Sequence, residues 1–224
     1  MSITHHAGNT RTPTIVNAEK MYEAIREYGI LPFFENPIPG YSVEELTPRE
    51  FWFDGEEDGL GPWDWKIDCL QSGDIAYGKF LWGGKASFAT PRWYRELLNY
   101  RRSLPKYQPG GKQGLILEHV AANGEITIRE VRHLLGVKKS AADAEITRLQ
   151  MQCRLVTGDL RRVYRGEDLH YNGWQIASFC SPDDLFEGEM DAACSPEESL
   201  ERLVEHLSAV SGEKSRKTIL KMLG

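Results

Sequence analysis

Apolar side chains return at helical spacing in several stretches of the chain. Met21, Ala24, Ile25 and Tyr28 mark a helix over Asn17 to Tyr28, and Gly29 can end it. The proline-punctuated "ILPFFENPIPGYS" then reads as an apolar loop. Further on, "YGKFLWGGKASFA" alternates weakly but has strand composition around a Gly-Gly pair. It predicts a hairpin of Ile75–Leu81 with Lys85–Ala89. A helix from Pro91 to Tyr100 follows. "SLPKYQPGGKQ" holds two prolines, two glycines and few apolar residues, and is read as the linker between two domains.

Beyond the linker the pattern is tighter. "KQGLILEHVAANG" predicts a helix stopped at Asn123-Gly124, and "EIT" a short strand. Thr127 and Glu130 have the spacing of a capping box, and open a helix with Ile128, Val131, Leu134 and Leu135 inward. After the "VKKS" turn, a third helix starts at Ser140, with Ala142, Ile146, Leu149 and Cys153 as its packing stripe. "CRLVTGDL" and "GWQIASF" read as strands around the polar loop "RRVYRGEDLHYN". This order is that of a winged helix-turn-helix, in which the third helix usually reads the major groove and the hairpin loop is the wing. Two amphipathic helices, Ser195–Val210 and Glu213–Leu223, close the chain.

The predicted class is therefore α+β. A winged helix-turn-helix domain over 112–186 packs on a second α+β domain over 17–104. A loose tail precedes them at 1–16, and residues 195–224 form C-terminal helices. Those helices cover an apolar face or contact a protein partner or a second copy. Starts at Thr47-Pro48, Thr90-Pro91, Ser181-Pro182 and Ser195-Pro196 each offer a cap followed by a proline, which lacks the amide that would be orphaned there.

Composition narrows the classes. The 224 residues are 41% hydrophobic and 27% charged, which suits a globular chain with a core. No apolar run approaches the roughly 20 residues of a membrane span, and the N-terminus lacks a signal-peptide pattern. The expectation is a cytoplasmic protein without membrane contact. Cys69, Cys153, Cys180 and Cys194 form no CxxC and have no paired histidines, so buried thiols are expected rather than zinc or disulfides. No cofactor or metal is expected. The formal charge of -6 excludes coating nucleic acid by charge alone. Only residues 112–180 are positive, with 10 basic and 8 acidic side chains.

That positive segment carries the first set of candidates. Lys138 and Lys139 at the third helix's start suit phosphates, and Arg148 suits a guanine edge or a phosphate. Asp143, Glu145 and Thr147 share the outer face. Arg161, Arg162 and Arg165 on the wing suit phosphates or a minor groove. The alternative is a solvated face on a protein-interaction module. A second set is Trp63, Trp65, Lys66, Tyr77 and Lys79, with Asp64, Asp68 and Asp74 among them. Aromatics with lysines can stack a base and hold its phosphate. The plainer alternative is core tryptophans with lysine–aspartate pairs.

The run W-x-W-K from Trp63 to Lys66, then Y-G-K and an apolar Ser-Phe strand, is followed by the helix-turn-helix ending "ITRLQMQ" and the strand pair with "GW". This pattern resembles a family of bacterial proteins described as AlkZ-related, or winged-helix DNA-binding, over roughly Asn17 to Phe186. The resemblance implies winged-helix units, another one in the N-terminal half, and DNA as the partner. The family's better-known relatives are DNA glycosylases that act on alkylated or crosslinked bases. They position a water with a Gln-x-Gln or Gln-x-Asp motif in the N-terminal part. Here Gln150-Met151-Gln152 ends the third helix instead, where side chains two apart diverge by about 200°. Gln71 stands alone in residues 17–104. The leading reading is thus a DNA-binding protein that is non-catalytic or weakly catalytic. The alternatives are a glycosylase-like base-excision enzyme, with Asp64 or Asp68 activating water, and a protein-interaction module.

Overall fold

A computed structural model describes residues 14–53, 61–188, 190–213 and 215–224. Most of the expected N-terminal tail, and residues 54–60 of the acid-rich "DGEEDGLG" loop, lie outside the described residues. The tail's end is not loose. Ile15 is fully buried, and its amide donates to Leu46 O at 2.9 Å.

The first half runs α1 (Ala18–Tyr28), β1 (Ile30–Pro32), the short α2 (Val43–Leu46) and α3 (Glu50–Phe53), α4 (Pro62–Gln71), β2 (Ala76–Leu81), β3 (Lys85–Ala89) and α5 (Pro91–Ser103). Asn17 caps α1 by accepting from the Lys20 amide, and its apolar stripe is buried as the spacing requires. Three elements were not expected, the short α2 among them. The start of the proline-rich loop is the edge strand β1, pairing antiparallel with β3 from Ile30–Ala89 to Pro32–Ser87. An edge position tolerates Pro32, which has no amide to donate. The W-x-W-K run forms α4, opened by Pro62 at its first turn.

The second half runs α6 (Lys112–Asn123), β4 (Glu125–Thr127), α7 (Ile128–Leu135), α8 (Lys139–Met151), β5 (Val156–Arg165) and β6 (His170–Cys180). Its small core holds Ile116, Val120, Ile126, Val131, Ala142, Ile146, Leu149, Leu155 and Phe179. The capping box of Thr127 and Glu130 is formed. The expected wing loop is mostly strand. Arg161 to Arg165 lie in β5, because Val163, Tyr164 and Tyr171 suit a pleated surface and Tyr164 pairs with Tyr171. Leu134 is not inward: it is 38% exposed, a helical step off the stripe of Ile128, Val131 and Leu135.

The linker is not bare. A 3-10 turn at Pro105–Tyr107 buries Tyr107. After the short α9 (Pro182–Leu185), α10 (Pro196–Ser211) and α11 (Arg216–Leu223) follow. α10 packs on α5, and Leu203, Leu207, Ile219 and Met222 join the larger core. No helix among the described residues is long and apolar enough to cross a membrane.

The fold is mixed α+β with two small antiparallel sheets, ordered β1-β3-β2 and β4-β6-β5. Apart from α2 and α3, each half repeats helix, strand, helix, strand, strand with the first strand outside the last; the second half has two helices between its first two strands. The halves also pack reciprocally. α8 lies on β2 and its 3-10 turn (Trp82–Gly84), α4 lies on β5, and β2 meets β5. The helix before each hairpin is thus turned toward the other half.

Candidate nucleic-acid interface

α8 illustrates what this packing does to side chains. Its stripe of Ala142, Ile146 and Leu149 faces the small core. Gln150 is 2% exposed and faces the other half. Its Oε1 accepts from the Lys79 amide at 3.1 Å, and its Nε2 donates to Thr157 Oγ1 at 3.2 Å. Gly78 leaves room for it, since a Cβ there would stand 2.8 Å from Gln150 Nε2. Gln152 points elsewhere, donating to Gln113 Oε1 at 3.1 Å. The two glutamines therefore share no pocket. Of the outer residues expected in solvent, Thr147 lies beside Gly84 and Glu145 is mostly covered, bonded by Gln113 and Arg148.

The basic candidates sort by partner. Lys138 is exposed at the N-cap position of α8 and makes no side-chain cap. Lys139 pairs with Asp143 at 3.1 Å, Arg148 with Glu145 at 2.7 Å, and Arg161 with Asp159 at 3.8 Å. Arg165 lies 5.5 Å over the exposed Trp174 ring. Arg162 differs from the rest. It is mostly covered and bonded to both Asp64 and Asp68 of α4. The bond to Asp64 is the leading cause that raises its pKa. Those contacts hold the Arg162 guanidinium, both oxygens of Asp64 and one oxygen of Asp68.

An open groove of about 1250 Å³ lies between α7, the first turn of α8 and the β5–β6 hairpin. Arg129, Arg132, Lys139 and Arg161 line it against two acids, Glu130 and Asp143. Both acids are occupied: Glu130 accepts from Thr127 in the capping box, which lowers its pKa, and Asp143 holds Lys139. Arg129 and Arg132 have no carboxylate within ion-pair distance among the described residues. Both are exposed. Leu134 and Ile176 form apolar parts of the same surface. Sequence reading missed the two arginines because it assigned binding to α8. The signal was present: Arg129 and Arg132 are three apart on α7, to one side of the buried Val131.

The aromatic set forms a second feature. Phe33 touches Phe34, Trp52, Trp63, Tyr77 and Phe88, and Trp63 packs edge-on to Trp52 at 5.8 Å. Trp63 remains 44% exposed. The Lys66 amine lies 5.0 Å from the Trp63 ring centre, and burial lowers its pKa to about 8. Trp65 packs against Phe51, half-buried, away from Trp63. Burial raises the Tyr77 pKa, and Lys79 is exposed with its amide held by Gln150. No lysine–aspartate ion pair forms within this set among the described residues. Asp74 instead holds Arg26 and Tyr22. Gln175 connects the two features: it lines the groove and donates to Trp63 O at 2.9 Å.

Cys69, Cys153 and Cys180 are buried free thiols, with Cys69 pushed up to about 12 and Cys180 to about 11 by burial. Cys194 is only half-buried, and Arg202 Nη1 lies 3.2 Å from its sulfur.

A family model described as AlkZ related matches residues 15–224, nearly the whole chain. No curated protein and no solved structure matches it.

Proposed function

The chain belongs to the AlkZ-related family, and on that premise we propose that it is a DNA-binding protein made of two winged-helix units. Family membership suggests a DNA-repair-like or DNA-binding role. The repeated element and sheet order supports a winged-helix reading of both halves. The usual docking is obstructed, because α8 and α4, the helices that would read the major groove, are packed against the opposite half.

The observation that carries the reading is the groove with Arg129 and Arg132 unpaired on α7. Buried or paired arginines hold a fold together; exposed, unpaired ones beside an open groove suit phosphates. Arg129, Arg132, Lys138, Lys139 and Arg161 would contact the backbone, and Arg165 would extend that contact along the hairpin. The half-exposed Trp63 ring, joined to the groove through Gln175, would stack a base.

Fluorescence anisotropy of the full chain with a labelled generic duplex, at low and physiological salt, tests this. The expected result is affinity of about 10⁻⁴–10⁻⁶ M that weakens steeply with salt. Absence of binding at low salt would overturn the proposal and favour a protein-interaction role for the exposed hairpin residues Trp174 and Ile176.

A further inference from the structure

Lys66 is the one buried lysine among the described residues, at 8% exposure. Its amine lies 5.0 Å from the Trp63 ring centre and 6.0 Å from that of Phe33. No carboxylate lies within ion-pair distance of it among the described residues. The nearest acids in sequence, Asp64 and Asp68, are both bonded by Arg162. Its partners are two aromatic faces rather than a carboxylate. Trp52, packed against Phe33 and Trp63, has its Nε1 buried without an acceptor among the described residues. Trp63, packed edge-on against Trp52, stays partly exposed to solvent.

We propose that the Lys66 amine is a nucleophile that captures the aldehyde of an abasic site in DNA as an imine. The proposal rests on the DNA-binding reading above. Of the groups DNA presents, the ring-opened sugar at an abasic site is the one a neutral amine attacks without a further reactant. The absent base also leaves a gap that the exposed Trp63 ring can fill by stacking. In the step, the Lys66 nitrogen lone pair bonds to C1′ of the sugar. The nitrogen gives up its two protons, the carbonyl oxygen takes up two and leaves as water, and a C=N bond remains. Nothing is oxidised or reduced. Burial raises the share of neutral amine, because desolvation disfavours the ammonium form and lowers its pKa to about 8; the Asp64 charge opposes that shift.

The test mixes the full chain with a duplex carrying one abasic site in the presence of cyanoborohydride, which reduces an imine to a stable amine. The adduct is read on a denaturing gel and located by peptide mass. The expected result is an adduct at Lys66, lost by about tenfold or more in both Lys66→Ala and Lys66→Arg, and kept in Lys20→Ala. Adduct formation should rise as pH passes through 8. Anisotropy with the same duplex runs in parallel, so loss of binding is separated from loss of capture. Bound DNA with no adduct, or an adduct that persists in both Lys66 variants, overturns the proposal. If the chain binds no DNA, the DNA-binding reading fails, and reductive methylation with formaldehyde decides on the amine. Lys66 labelled faster than Lys20 at pH 8 supports the nucleophile, and equal or slower labelling overturns it.

Discussion

Arg162 on β5 holds Asp64 on α4 through two parallel bonds, Nε to Oδ1 and Nη2 to Oδ2, both at 3.0 Å. The same Nη2 reaches Asp68 Oδ1 at 2.8 Å. A planar guanidinium matches a carboxylate in this way, and both side chains are mostly shielded from water. The contact joins the two halves. It also takes one cation and two acids out of the set available to a nucleic acid.

Truncating one partner leaves the other charge poorly solvated. Arg162→Ala is expected to destabilise the chain by about 2–3 kcal/mol, and Asp64→Asn by about 1–2 kcal/mol. A double-mutant cycle by urea denaturation should give a coupling of about 1–3 kcal/mol. Additive effects would show that the pair does not join the halves energetically. The salt dependence of DNA binding should be untouched in any variant that remains folded.

Gln150 and Gln152 should separate by stability. Gln150→Ala removes the partners of the partly buried Lys79 amide and the buried Thr157 hydroxyl, and is expected to cost about 2–3 kcal/mol. Gln152 donates to Gln113 but leaves its own Oε1 unpartnered, so Gln152→Ala should cost about 1 kcal/mol. Chemical denaturation of both variants checks the order. Equal costs would mean that the Gln150 contact between the halves contributes no more than a local bond.

These two contacts show why the sequence was informative inside each unit and silent between units. Local signals placed α1, the β2–β3 hairpin, the capping box of α7 and the α8 stripe, because each depends on residues a few positions apart. The reciprocal packing depends on pairs such as Arg162 with Asp64, nearly a hundred residues apart, and no periodicity encodes those. The strand at Ile30–Pro32 was hidden by its proline, since only its edge position makes Pro32 tolerable. α4 was hidden because its large aromatic residues do not mark one buried stripe: Trp63 is exposed while Trp65 packs against the core. Four of the basic candidates turned out to be paired with acids, which composition cannot reveal. The unpaired Arg129 and Arg132 were visible as a helical face, but attention to α8 passed over them.

Arg129 and Arg132 carry the salt prediction. Each phosphate neutralised contributes about 0.9 to the log–log salt slope. The double variant Arg129→Ala, Arg132→Ala should therefore flatten that slope by roughly two and weaken binding at low salt. Neither residue packs in the core, so thermal stability should be nearly unchanged. A slope equal to that of the unaltered chain would move the binding face off α7.

His206 should make stability depend on pH. Its ring stacks on Trp93 with centroids 3.7 Å apart and planes 13° from parallel, and its Nε2 lies 2.8 Å from Tyr28 O at the end of α1. Against that carbonyl, the neutral ring with its proton on Nε2 donates. Burial lowers the pKa, the Arg92 charge adds to the effect, and the Tyr28 carbonyl opposes it. The folded value thus lies below the ordinary value of about 6.5, and between the two the unfolded chain binds more protons. Stability from the neutral ring is fully present above about 6.5 and is lost as pH falls through the folded value. Thermal melts from pH 7.5 down to 5 should show a fall in Tm that is smaller in His206→Gln, whose side chain does not titrate. Parallel curves for the two proteins would mean that acid weakens the fold through other groups.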